Sequence, residues 1–136
     1  MITWGGRLLV LLGAGHLLTG LAITSPHFAR TWLAGHLTDD SLTALSPANG
    51  AYWLTVGSFA FPLIILGLLI LWLDRRDIVP PLFLPWTIGL WSLAAAAMFR
   101  GIPWLLAWLG VALLFTGIHR ARTAGAGRME RADIVR

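Results

Sequence analysis

Apolar residues run along this chain in four long stretches, separated by polar or proline-bearing segments. Each stretch is close to the roughly 20 residues that an α-helix needs to cross the hydrocarbon core of a bilayer. The first, residues 5–24 (GGRLLVLLGAGHLLTGLAIT), has His16 as its only interior ionisable group. Gly13, His16 and Gly20 recur at i, i+3 and i+7, which gives one helix face a small-polar-small stripe, while Leu8, Leu11, Leu12, Leu18 and Ala22 cover much of the remainder. Small residues let a neighbouring helix come close, so this stripe is expected to face the other spans. Pro26 in the SPH segment is expected to end the helix near Thr24, because proline disfavours helical geometry in the residue before it.

The connection that follows is about 25 residues, long for a link between two spans, and reads as a cover or a binding element. Residues 28–37 (FARTWLAGHL) put Phe28, Trp32, Leu33 and Leu37 near one face, the pattern of a short helix lying in the membrane interface. Asp39 and Asp40 read as helix caps. Ser46 and Pro47 open the second span, 47–73, as N-cap and first helical residue. At about 1.5 Å per residue this span outruns the hydrocarbon core, and Pro62 is expected to kink it and to free a backbone carbonyl near Ser58. The third and fourth spans, 82–99 and 103–119, are joined by a turn of a few residues and so are expected to be antiparallel neighbours. Residues 121–136 form a basic, Gly/Ala-rich tail expected to be mobile. The fold class is therefore all-α: a polytopic four-helix transmembrane bundle over residues 1–120, with a short interfacial helix in its first outer loop.

Composition sharpens that reading. With 57% hydrophobic and 12% charged residues, and a mean hydropathy of +0.77, the chain is far from the soluble average. It has no cysteine, which excludes disulfides, thiolate metal sites, iron–sulfur clusters and CxxC redox chemistry. The first span lacks a small-x-small cleavage site and is longer than a typical signal-peptide core, so it reads as a retained span. Every basic residue is arginine, and the formal charge of +4 would suit nucleic acid or acidic lipid were it not for where the arginines sit. Arg7, Arg75, Arg76, Arg120, Arg122, Arg128, Arg131 and Arg136 fall on one side of a four-span topology, and only Arg30 and Arg100 on the other. The positive-inside rule then places both termini in the cytoplasm of a multi-pass protein of the bacterial inner (plasma) membrane. No nucleic-acid signature, nucleotide loop, serine triad or HExxH motif is present, and no cofactor is expected.

Polar side chains concentrate in the outer half of the spans. His16 and Thr19 lie in the first, Tyr52, Thr55 and Ser58 in the second, and Ser92, Met98 and Arg100 in the third, beneath the loop that carries Asp39 and Asp40, while Trp91 lies deeper and could line a pocket for a flat ligand. This predicts an outward-opening pocket lined by Thr19, Tyr52, Thr55, Ser58, Trp91 and Arg100. An imidazole in a span either donates to a carbonyl of a neighbouring helix or recognises a ligand and exchanges protons. In the second case His16 is the general acid or base, and Asp39 or Asp40 its partner. Metal or haem ligation finds no second ligand at a recognisable spacing. Asp39 and Asp40 are otherwise solvated caps, and Arg100 an interface residue that extends toward water.

The runs GRLLVLLGAGHLLTGL, LGLLILWLDRRDIVPP and LFLPWTIGLWSL resemble a group of small four-helix bacterial integral membrane proteins of unassigned function, over nearly the whole chain up to Arg120. The resemblance implies the fold and carries no activity. Three readings stay open: binding of a lipid-soluble small molecule in the outer pocket; an acid/base enzyme (isomerase, cyclase or hydrolase) on such a molecule; or a structural subunit or small transporter that works as a homo-oligomer through its Gly and Ala faces. Membrane lipids are the expected surroundings in all three.

Overall fold

The computed structural model describes residues 1–35, 37, 40–41, 43–98 and 101–134, the last seven as backbone only. It is all-helical: α1 (Ile2–Leu33), α2 (Pro47–Leu54), α3 (Ala60–Arg75), α4 (Phe83–Met98) and α5 (Pro103–Ile134). Among the described residues there is no strand, only an isolated bridge between Ser41 and Ala44. Two helices, α1 and α5, are long and apolar enough to cross a membrane.

Several boundaries differ from those expected. The first helix does not stop at Thr24; it continues through Pro26 to Leu33 and absorbs Phe28–Leu33, so no separate interfacial helix forms there. Proline costs a helix interior about 3 kcal/mol. Here the turns beyond it are anchored by tertiary contacts: the Trp32 indole donates to the Ala48 carbonyl at 2.8 Å, and its ring meets Tyr52 edge-on at 6.2 Å. The true stop is Gly35, whose φ of 76° takes the chain out of the helix at a cost glycine does not bear.

The stretch 47–73 is not one kinked helix. It is two, α2 and α3, interrupted at residues 55–59. Pro62 makes no kink, because it falls in the first turn of α3, where a backbone N–H has no intrahelical partner to lose. At the other end, α3 closes in a Schellman motif: the Ile78 amide donates to Leu73 O at 3.0 Å and the Asp77 amide to Asp74 O at 3.2 Å, with Asp77 at φ 55°. Helix α5 passes Arg120 without a break and extends to Ile134, so the tail begins as helix.

Packing centres on α1. It lies against α3 on one side and α5 on another, α5 carries α4, and α2 rests on the C-terminal half of α1. The order of neighbours is thus α3, α1, α5, α4, and α3 and α4 share no packed interface along their length. The α1–α3 contact is backbone-close. A Cβ on Gly67 would stand 2.8 Å from Gly6 O and 2.9 Å from Val10 N, and one on Gly13 would stand 2.7 Å from Ala60 O. Leu9, Ile70, Leu114 and Ile118 form the fully buried centre of the apolar core. Outside it, large apolar side chains face outward on every helix; Leu18, Ile65 and Leu90 are each more than 60% exposed.

Candidate functional site

Interrupting an apolar helix strands carbonyl groups that need donors. Around the break four carbonyls, those of Ala51, Tyr52, Leu54 and Thr55, are met from different sources. The Thr55 hydroxyl donates to Ala51 O at 2.7 Å, and the Thr55 and Gly57 amides donate to Tyr52 O at 3.1 and 2.9 Å. The Ser58 hydroxyl donates to Thr55 O at 2.6 Å and accepts the Ala60 amide at 3.2 Å, so it links the end of one helix to the start of the next. The Leu54 carbonyl receives its donor from another helix: His16 Nε2 lies 2.9 Å away. For that bond to be a hydrogen bond the proton must be on Nε2, which leaves Nδ1 of a neutral ring as an acceptor.

The sequence builds this junction locally. Thr55-Val56-Gly57-Ser58 is a run of poor helix formers inside an apolar segment. At Gly57 the chain folds onto the Trp53 ring so closely that a Cβ would lie 2.6 Å from it. On α1 the Gly13–His16–Gly20 face meets the junction. Gly13 lies under Ala60, Gly20 under the methyl group of the fully buried Thr55, and His16 between them. Phe59 covers the His16 ring at a centroid distance of 4.6 Å, Trp91 of α4 lies 5.0 Å from Phe59, and Trp104 of α5 lies 5.9 Å from Trp91. An imidazole and three aromatic rings thus form a continuous row from α1 across the α3–α4 gap.

The expected site residues divide accordingly. His16, Thr55 and Ser58 come together at the junction, and Trp91 reaches it through Phe59. Tyr52 contributes its carbonyl there, while its ring points toward Trp32 and Trp53. Thr19 is exposed on the outer surface of α1. Asp39 and Arg100 lie outside the described residues. Asp40 is engaged at the start of α2, where its carboxylate accepts the Ser46 amide at 2.8 Å, and no contact joins it to His16 among the described residues. The residues the sequence reading missed are Leu54, whose carbonyl is the acceptor, and Phe59; the TVGS run was the available signal.

Donation by the Ser46 hydroxyl, then by the Ser46 amide and the Asn49 side chain, holds the Asp40 carboxyl below its ordinary value of 3.8. Its carboxylate is therefore favoured by folding. The stability it contributes is present above the unfolded-state pKa and is lost as pH falls through the lower folded-state value. The Ser46 amide-proton shift is expected to titrate with a midpoint below 3.8, and Asp40→Asn to abolish that titration. A midpoint at or above 3.8 would contradict the assignment.

At the opposite end of the molecule the Thr3 hydroxyl donates to Asp74 Oδ2 at 2.6 Å. Arg7 stacks on Trp4 at 5.0 Å and Arg76 on Trp72 at 5.1 Å. Among the described residues no group of three His, Cys, Asp or Glu side chains is placed to hold a metal ion. No protein-family model, curated protein or solved structure matches the chain.

Proposed function

We propose that the chain is an integral membrane protein of four crossings, formed by α1, the interrupted pair α2 and α3, α4, and α5, and that it holds a lipid-soluble small molecule beside the His16–Leu54 junction. Both termini lie on the cytoplasmic side of a bacterial plasma membrane in this reading, as the arginine distribution requires. The outward-facing Leu, Ile and Trp side chains on every helix support it, since a protein folded in water does not leave so much contiguous apolar surface uncovered. The resemblance to small four-helix bacterial membrane proteins belongs to the same reading.

One observation carries the ligand: an unwound segment between two apolar helices, capped by a histidine. Non-helical backbone is tolerated in a bilayer only where protein buries it or where it lines a cavity, and interrupted helices are where membrane proteins commonly place their ligands. Here the His16 ring lies against Phe59, which in turn meets Trp91 of α4, and Nδ1 of the Nε2-protonated ring is an acceptor. That suits a molecule with an apolar, flat or conjugated body and a single hydroxyl or amine donor. Binding without chemistry is favoured over acid/base catalysis because Nε2 of His16 is committed to a carbonyl and Asp40 to Ser46, so among the described residues no carboxylate partners the imidazole.

Native mass spectrometry of the protein in mild detergent, followed by organic extraction, tests this. The expected result is one retained lipid-soluble compound, reduced about tenfold or more in His16→Ala, the loss equivalent to one hydrogen bond of about 1.4 kcal/mol. A wild-type protein that carries no compound and has a fixed oligomeric mass would favour the assembly reading instead.

A further inference from the structure

A second feature lies at the end of the molecule opposite the junction. A cavity of about 260 Å³ is lined by Met1 and Ile2 of the α1 start, Asp74 at the end of α3, and Gly117 and Arg120 of α5. Its floor is backbone: Ile2 sits on Gly117 so closely that a Cβ there would lie 2.8 Å from the Ile2 amide nitrogen. Arg120 follows Gly117 by three residues and so shares its face of α5. Asp74 is held in place by the Thr3 hydroxyl on one oxygen, Oδ2, which leaves Oδ1 available. A carboxylate and a guanidinium therefore border one cavity, and among the described residues no ion pair joins them.

Opposite charges that share a cavity without meeting fit a ligand that carries both signs. The flanking Arg7–Trp4 and Arg76–Trp72 stacks are the pairing found at the headgroup level of a bilayer. We propose that this cavity binds the headgroup of a zwitterionic phospholipid with a primary amine, a phosphoethanolamine. Arg120 takes the phosphate and Oδ1 of Asp74 takes the ammonium group. An ammonium group can donate charge-assisted hydrogen bonds to the carboxylate, whereas a quaternary choline cannot donate at all, and an anionic glycerol headgroup offers Asp74 only neutral hydroxyls with no cation to offset the repulsion of its phosphate. The site is distinct from the one around His16, but it rests on the membrane-spanning reading given above.

The test is thermal unfolding of the full chain in detergent, with added phosphatidylethanolamine, phosphatidylcholine or phosphatidylglycerol of one acyl composition. Phosphatidylethanolamine is expected to bind about tenfold more tightly than either of the others, the worth of one charge-assisted hydrogen bond. Asp74→Asn keeps an oxygen for Thr3, and it is expected to erase the preference over phosphatidylcholine. Arg120→Gln is expected to weaken all three lipids. Equal binding of the three lipids, an unchanged preference in Asp74→Asn, or equal binding of water-soluble phosphoethanolamine would each overturn the lipid site. Retention of the protein in vesicles through an alkaline carbonate wash reads the membrane-spanning claim separately. A protein that stays in the bilayer yet shows no headgroup preference therefore overturns this site alone.

Discussion

Gly67→Leu is expected to leave no folded protein, and Gly67→Ala to cost about 1–3 kcal/mol, the usual penalty for overpacking a tight contact. The reason is what a Cβ would strike. At Gly67 it would meet Gly6 O at 2.8 Å and Val10 N at 2.9 Å, both main-chain atoms of α1 that cannot rotate away as a side chain would. The two helix axes would have to separate, and the contacts of Leu63 and Ile70 on the same face of α3 would loosen with them. Gly15 is the internal control. Nothing lies within 4 Å of a Cβ built there, so Gly15→Ala is expected to stabilise α1 by about 0.5–1 kcal/mol through helix propensity alone. Unfolding in a graded detergent series measures both variants. A Gly67→Ala protein as stable as wild type would mean that the helices are not held at this distance.

The second large effect is expected at His16. His16→Ala removes the donor to Leu54 O and uncovers Phe59, and a carbonyl left without a donor in an apolar setting costs about 1–3 kcal/mol. His16→Gln separates the two contributions, because its amide can donate to the same carbonyl while the aromatic contact is lost. The expected order of stability is wild type, then Gln, then Ala. If Gln and Ala are equally destabilised, the hydrogen bond contributes nothing and the ring contact accounts for the loss. If neither is destabilised, the junction is held by Thr55 and Ser58 alone.

The apolar pattern predicted where helix exists better than where it stops, and the reason is physical. A helix that is apolar on all sides has no polar face whose phase could mark a break, so α2 and α3 read as a single run from 47 to 73. The only local signal was four poor helix formers at Thr55–Ser58, weaker to the eye than Pro62 and yet the actual point of interruption. Proline misled twice, in opposite senses. Pro26 sits inside a helix because the Trp32–Ala48 bond and the ring contacts beyond it outweigh a local penalty, and Pro62 sits where a first turn tolerates it. His16 stood out in the sequence only through its isolation among leucines and glycines. Its acceptor could not be read, because that depended on α2 ending at Leu54 rather than continuing toward Ser58.

The central place of α1 has a consequence for how the molecule is made. In synthesis α1 emerges before the helices it packs against: α3 begins at Ala60 and α5 at Pro103. The glycine face that receives α3 therefore waits uncovered through more than twenty residues of connecting chain. The face that receives α5 waits longer, until Pro103 and the residues after it emerge. A nascent chain halted after α4 would hold α4 without the helix it rests on, since α4 packs on α5. Docking of α5 against α1 therefore brings α4 into the bundle with it.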